Sequence, residues 1–217
     1  MIKKDLVIVG ANGFGQEILW QIINSKNCKE VFNILGFVDD NPSLCGRKIH
    51  GFDVLGNDEW LLNRAEETCA VICVGSSKRR KAINNRLKAN QMISFPTIIA
   101  DNVYYSDRID FGQGCIICLS SILTVNIKLG DFVIVNLDCT IGHDAVLDSY
   151  VTLHPSVNVS GGVHIHQSAE IGTGTTIIQG KSIGEGAIIG AGSVVVKDIP
   201  PNCTAVGTPA VVIKSHF

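Results

Sequence analysis

The sequence has no marked excess of charge of either sign and no long hydrophobic run. Its 18 Lys and Arg residues nearly balance 20 Asp and Glu residues, for a formal net charge of −2. A chain without a broad basic surface is not expected to hold nucleic acid or an anionic membrane by charge alone. No apolar stretch reaches the ~18 residues of a membrane-spanning helix, and the one near the start is too short for a signal peptide. We therefore expect a cytoplasmic protein that neither inserts into membranes nor binds nucleic acid.

Proline is scarce, with 6 residues, whereas glycine is frequent, with 22. Frequent glycine without a collagen-type repeat indicates many tight turns in a folded chain. The 8 cysteines, in a chain with no export signal, are expected to be reduced thiols.

Residues 1–100 alternate short β-branched runs with helix-like stretches. Strands are predicted over 6–9, 34–38 and 70–74, a glycine turn over 10–15, and helices over 16–24 and 78–90. Alternating strands and helices predict an α/β, Rossmann-like unit, in which ligands bind beyond the carboxyl ends of parallel strands.

Beyond residue 100 a repeat of six residues replaces this alternation. Every sixth residue from Tyr105 to Val195 is apolar, and the residues four positions later are mostly small or aliphatic, with Lys181 as the exception. A period of six fits neither a helix nor a long strand, so each hexad is predicted to be one short strand and one turn. Successive hexads are then expected to follow one another around a coil.

Four units of the form Ile-Gly-x-x-small, beginning at Ile141, Ile171, Ile183 and Ile189, resemble those of the hexapeptide-repeat acyltransferases. The turn 10–15, the segment 37–40, the pair 74–75 and the tail segments 196–200 and 205–210 extend the resemblance over nearly the whole chain. Together these motifs resemble the sialic acid O-acetyltransferase-like family, which includes N-acetyltransferases of UDP-, GDP- or dTDP-linked amino-dideoxy sugars. The resemblance implies an all-β left-handed parallel β-helix over 101–217 with three hexads per coil. It also implies acetyl-CoA as cosubstrate, a nucleotide-linked amino sugar as acceptor, no metal, and a homotrimer.

His143 is the candidate general base. It lies two residues after Ile141, which is predicted to point inward, so the imidazole is expected on the outside of the coil, where a ligand can reach it. Asp144 follows and can fix the imidazole tautomer and stabilise its protonated form. The resemblance assigns these two residues the same roles. Gly161 lies one 18-residue coil after His143, and the resemblance makes its backbone N–H the donor to the oxyanion.

The resemblance also places acetyl-CoA against Thr152, Thr173 and Ala191. In the N-terminal unit, the backbone of the glycine turn can hold a phosphate, and the acids after the second predicted strand can contact a ribose or a base. The predicted acceptor-binding residues are Gly13, Phe14, Gly15, Asp39, Asp40 and Gly75.

Several alternatives remain at this stage. The acceptor atom could be a sugar hydroxyl, and the chain could be a noncatalytic nucleotide-sugar-binding module or a zinc-dependent hydratase. His164 and His166 flank Ile165 and are both expected to face outward, so a zinc site between subunits, like that of the carbonic anhydrase branch of this fold, stays open. Cys115 and Cys118 have no second ligand pair for zinc; Cys115 is expected to point inward and Cys118 elsewhere.

Overall fold

A computed structural model describes residues 3–216. The chain forms two compact units, Met1–Asp101 and Asn102–Phe217. None of the helices described is long and apolar enough to cross a membrane.

The first unit is a six-stranded sheet with helices, and its strands run parallel except β3, which is antiparallel to β4. The strand order is β3-β4-β2-β1-β5-β6. The elements are β1 (Lys4–Val9), α1 (Gly13–Asn24), α2 (Lys26–Val31), β2 (Phe32–Val38), a 3-10 turn (Pro42–Leu44), β3 (Lys48–Ile49), β4 (Phe52–Gly56), α3 (Asp58–Leu62), β5 (Thr68–Ile72), α4 (Ser77–Leu87), β6 (Ile93–Ser94) and β7 (Ile98–Ile99).

The central strand β1 is apolar because neighbours cover it on both faces, and Leu6 to Val9 are at most 3% exposed. The predicted strands and helices are present with shifted ends. The third predicted strand begins two residues earlier, at Thr68, and α1 begins at Gly13 rather than residue 16. The Gln16 N–H donates to Asn12 O, so the predicted glycine turn is in part the first turn of the helix.

The second unit is a parallel β-helix whose strands are mostly two residues long. They are β8 (Tyr104–Tyr105), β9 (Ile109–Phe111), β10 (Ile116–Ile117), β11 (Ile122–Leu123), β12 (Ile127–Leu129), β13 (Ile134–Val135), β14 (Thr140–Ile141), β15 (Val146–Leu147), β16 (Thr152–Leu153), β17 (Asn158–Val159), β18 (His164–Ile165), β19 (Glu170–Ile171), β20 (Thr176–Ile177), β21 (Ser182–Ile183), β22 (Ile188–Ile189), β23 (Val194–Val195), β24 (Cys203–Val206) and β25 (Val211–Ser215).

These strands build three sheets. Sheet I contains β10, β13, β16, β19, β22 and β24, with β25 antiparallel to β24; sheet II contains β8, β11, β14, β17, β20 and β23; sheet III contains β9, β12, β15, β18 and β21. Residues 18 apart pair in all three sheets, as Ile116 with Ile134, Leu123 with Ile141 and Leu129 with Leu147. The three hexads per coil that the family resemblance implies are confirmed.

The repeat also predicts which side chains fill the interior. Of the apolar positions spaced by six, those from Ile117 to Val195 are at most 4% exposed. The prediction is wrong for the first coil: Tyr105 is 46% exposed and Phe111 is half-buried. Both lie on edge strands of their sheets, so no coil beneath them completes the cover. The two rings make an edge-to-face contact at 5.7 Å instead.

All eight cysteines are free thiols. Cys118, expected to point away from the interior, is as fully buried as Cys115, both at 0% exposure. The Cys115 Sγ–H donates to Gly130 O at 3.1 Å. These two cysteines therefore belong to the packed wall of the β-helix and offer no open metal site.

Candidate active site

His143 lies in a turn between sheets II and III, after β14 and before β15. Its side chain is 68% exposed, as expected for a turn residue that faces a ligand. The ring Nδ1 is 2.7 Å from Asp144 Oδ2. With the Nδ1 proton donated to the carboxylate, Nε2 carries the free lone pair.

Asp144 is held from a second side. Asn126, one coil earlier, donates from Nδ2 to Asp144 Oδ1 at 3.1 Å. The hydrogen bond from His143, followed by that from Asn126, holds the pKa of Asp144 below its ordinary value. Asp144 also occupies a left-handed turn conformation, φ 59°, which Asp tolerates better than most residues. The carboxylate is therefore charged and fixed beside the base.

Gly161 lies against the imidazole edge, as the 18-residue spacing predicts. A Cβ at this position would meet His143 Nε2 at 2.6 Å and Cε1 at 2.7 Å, so only glycine leaves the ring in place. The Gly161 N–H donates to no acceptor within residues 3–216. A base nitrogen and an unused backbone donor thus lie side by side, which is the pairing that acyl transfer to an amine requires.

The residues predicted to contact acetyl-CoA divide into two groups. Thr173 and Ala191 are exposed and lie one coil apart, and the Gly192 N–H donates to Thr173 O at 2.8 Å. Their turns join sheet I to sheet II, whereas the His143 turn joins sheet II to sheet III. Thr152 is only 1% exposed, in β16. A single β-helix therefore presents Thr173 and Ala191 at a different edge from His143.

In the first unit, a cavity of about 540 Å³ opens at the carboxyl ends of β1, β2 and β5. Gly10, Phe14, Asp39, Asp40 and Gly75 line this cavity. The N-caps of α1 and α4, Asn12 and Ser76, also line it, and neither makes a side-chain hydrogen bond to its helix. The positive ends of two helix dipoles therefore face the cavity, which favours an anionic ligand.

Two predicted residues do not line this cavity. Gly13 is exposed, and an added Cβ would meet no atom within 4 Å. Gly15 is buried, and a Cβ there would meet Gly10 O at 1.8 Å. The close approach of α1 to the end of β1 therefore explains why residue 15 is glycine.

The carboxylates at the end of β2 are already engaged with protein groups. Asp39 accepts hydrogen bonds from the Ala11 N–H at 2.8 Å and the Asn41 N–H at 2.9 Å, so it joins two strand-end turns. Asp40 is 3.5 Å from Arg86, which also donates to Asp58. Burial raises the pKa of Asp58, although the hydrogen bond from Arg86 opposes that shift. These pairs give the cavity a fixed acidic side.

Two arginines of α4 were not predicted from the sequence as site residues. Arg79 lines the cavity, is exposed, and has no ion-pair partner in the described part of the chain. Arg80 is 1% exposed, and its Nη1 donates to Val74 O at 2.7 Å and Gly75 O at 3.0 Å, which fixes the strand-end turn from behind. Both residues lie at the start of the helix that follows the third predicted strand, and this position is the feature of the sequence from which they could have been predicted.

Comparison with known proteins places these features in context. The family model for the PglD N-terminal domain matches residues 5–87. A mutant of perosamine N-acetyltransferase from Caulobacter crescentus, in complex with CoA and GDP-perosamine, has 26% identity over 98% of each chain and a TM-score of 0.88. The acetyltransferase domain of PglB from Neisseria gonorrhoeae, with acetyl coenzyme A, has 29% identity over 98% of this chain and 100% of that chain, with a TM-score of 0.87.

WeeI from Acinetobacter baumannii has 32% identity over 97% of this chain and 100% of that chain, with a TM-score of 0.84. Among curated proteins no sequence matches this chain.

Proposed function

Because this chain belongs to the hexapeptide-repeat acetyltransferases of the nucleotide-amino-sugar type, we propose that it acetylates the C4 amine of a nucleotide-linked 4-amino-4,6-dideoxy sugar. Acetyl-CoA is the donor of this acetyltransferase. The observation that carries the assignment of the catalytic residues is the contact between the His143 Nε2 edge and Gly161, with Asp144 fixed behind the ring.

His143 Nε2 accepts a proton from the sugar amine as its nitrogen attacks the thioester carbonyl of acetyl-CoA. Asp144 stabilises the imidazolium that forms. The new C–N bond leaves a tetrahedral intermediate whose oxyanion accepts the Gly161 N–H hydrogen bond. The C–S bond then breaks, and the imidazolium returns its proton to the departing CoA sulfur. The products are the 4-acetamido sugar nucleotide and CoA, and His143 is neutral again.

The cavity of the first unit supplies the nucleotide site in this proposal. Two uncapped helix N-termini and the unpaired Arg79 suit a diphosphate, because both place positive charge or N–H donors at the cavity wall. The acidic side, built from Asp39 and Asp40, is suited to hydroxyl or N–H donors of a ribose or base.

The donor site is proposed to form between neighbouring copies of a homotrimer. The supporting observation is that Thr173 and Ala191 lie at the edge between sheets I and II, while His143 lies at the edge between sheets II and III. A threefold arrangement of a triangular coil brings one edge of each copy against another edge of its neighbour. Acetyl-CoA held by one copy then reaches the base of the next.

The decisive experiment measures release of free CoA thiol with acetyl-CoA and UDP-, GDP- and dTDP-linked 4-amino sugars. We expect turnover with at least one of them and an amide product by mass spectrometry. Turnover only on hydroxyl sugars would replace the proposal with O-acetylation. Nucleotide-sugar binding without turnover on any sugar would make the chain a binding module.

A matched pair of variants tests the nucleotide site. Arg79→Ala is expected to raise KM for the sugar nucleotide by about 10-fold, the usual effect of losing one charge-assisted contact. Lys78→Ala removes the same charge from the same helix at an exposed residue that does not line the cavity, so its KM should stay unchanged. Equal KM values for the two variants would exclude Arg79 as a ligand of the diphosphate.

A further inference from the structure

A second group of side chains with metal-ligating atoms lies on sheet III, apart from the His143 turn. His164 and His166 flank the inward Ile165 of β18, and Asp148 follows β15 one coil earlier. One ligand atom from each of Asp148, His164 and His166 lies within 4.8 Å of the other two. Acetyl transfer at the His143 site does not use these three side chains and does not explain why they lie so close together.

The distances within the group fit a metal polyhedron. His164 Nε2 is 3.1 Å from Asp148 Oδ1, and His166 Nδ1 is 3.3 Å from Asp148 Oδ2. Nitrogen and oxygen ligands bound tetrahedrally to zinc at ~2.0–2.2 Å are roughly 3.3 Å from one another. An ion can therefore be placed among these atoms with little movement of the side chains.

The two rings contact each other, and the His166 ring is held by a further hydrogen bond. They stack with centroids 3.9 Å apart and an angle of 36° between them. The remaining nitrogen of His166, Nε2, is 3.2 Å from Ser182 Oγ. A hydrogen bond to the second ring nitrogen is the usual device that fixes a ligating histidine and its tautomer.

The group is open on one side. The side chains of His164, His166 and Asp148 are 42%, 39% and 37% exposed, so an ion can enter and keep water at its remaining positions. Two imidazoles and one carboxylate favour first-row transition metals such as Zn²⁺ and Co²⁺ over Mg²⁺ and Ca²⁺, which prefer oxygen ligands.

We propose that Asp148, His164 and His166 bind one divalent transition metal ion per chain, with Zn²⁺ as the reference ion. The ion joins two successive coils of sheet III and stabilises the folded β-helix by mass action. Acetyl transfer by His143 does not require it.

The test is a titration of the metal-free, tag-free full chain with Co²⁺, followed by its visible absorption. We expect saturation at one Co²⁺ per chain, displacement by Zn²⁺, and a higher melting temperature with Zn²⁺. His166→Ala and Asp148→Asn should each lower Co²⁺ affinity by at least ~10-fold. The matched control is His216→Ala, which removes a histidine that bonds Thr204 near the C-terminal strand and should bind Co²⁺ as the unmodified chain does.

Asp148→Asn keeps the shape of the side chain, so a folded variant is available even if His166→Ala is unstable. Co²⁺ binding that is absent, or that is equally strong in both variants and the unmodified chain, would overturn the site. Measuring thiol release with a chelator present tests the two proposals separately. If the metal site is wrong, acetyl transfer is unaffected. If acetyl transfer is wrong, the Co²⁺ titration is unaffected.

Discussion

One added methyl group at Gly161 should remove most of the turnover while leaving the fold intact. The Cβ of an alanine would lie 2.6 Å from His143 Nε2. Since the optimal separation of non-bonded heavy atoms is ~3.5 Å, the imidazole must move away from the added Cβ by about 0.9 Å. The ring is 68% exposed and can withdraw into solvent, but only by loosening its 2.7 Å bond to Asp144.

A displacement of this size in a catalytic group costs about 10²-fold in rate, which corresponds to about 2.7 kcal/mol of activation free energy. We therefore expect kcat of Gly161→Ala to fall by about 10²-fold. The KM for the sugar nucleotide should change little, because the proposed nucleotide site is formed by other residues. Thiol release at saturating acetyl-CoA measures both constants.

Gly174→Ala is the matched control. It also lies in a turn of the β-helix, its added Cβ meets no atom within 4 Å, and its left-handed φ of +69° is one that Ser156 adopts one coil earlier. An alanine with this φ is strained by about 1–2 kcal/mol, so the variant should keep its kcat and melt a few degrees below the unmodified protein. A Gly161→Ala enzyme that is folded and retains full kcat would refute the argument that the position of Nε2 limits the reaction.

His143→Ala is expected to lower kcat by roughly 10²- to 10⁴-fold, while acetyl-CoA affinity, measured by calorimetry, stays nearly the same. Asp144→Asn should lower kcat less, because the base remains. Gly75→Leu, at a residue that lines the cavity and has room for a side chain, should raise KM for the sugar nucleotide without changing acetyl-CoA affinity; unchanged sugar-nucleotide affinity would exclude this cavity as the nucleotide site. Sedimentation should show a trimer, and a fully active monomer at micromolar concentration would exclude the shared donor site. Hydrogen bonds, first from the Ser25 hydroxyl and then from the Lys26 N–H, hold the pKa of Asp101 below its ordinary 3.8. Asp101→Asn should therefore lower the denaturation midpoint at pH 7, and the difference should shrink as pH falls below 3.8 through the folded pKa.

The β-helix could be predicted mainly from the period of six, because this period shows directly which side chains point inward. It failed at Tyr105 and Phe111, where the pattern continues but the coil beneath is missing, and a pattern contains no information about where the stack ends. The start of α1 was also misplaced, because the glycines of residues 10–15 suggest a turn, while the Gln16 N–H bonds Asn12 O and the helix already begins at Gly13.

The candidate base and its neighbours were predictable to different degrees. His143 follows from its place two residues after the inward Ile141 and from the family resemblance, whereas Gly161 follows from the 18-residue spacing, which backbone pairing enforces. Asn126 obeys the same spacing relative to Asp144, so it could have been found, but its role depends on a side-chain rotamer that spacing does not specify. Arg80 reads in the sequence as one more surface charge on a helix, and only the packed turn at Gly75 shows that its guanidinium is buried and bonded to two carbonyls.

The 18-residue pairing also has a consequence for how the second unit folds and unfolds. Each short strand bonds only to the strands one coil before and one coil after it, so the β-helix behaves as a one-dimensional chain of nearest neighbours. Opening should start at its ends, at the edge strand Tyr104–Tyr105 and at the exposed strand Val211–Ser215. Amide hydrogen exchange should accordingly be slowest in the middle coils, around β13 to β18, which is where the His143 and Gly161 turns lie. The catalytic turns thus occupy the segment of the β-helix that is last to open.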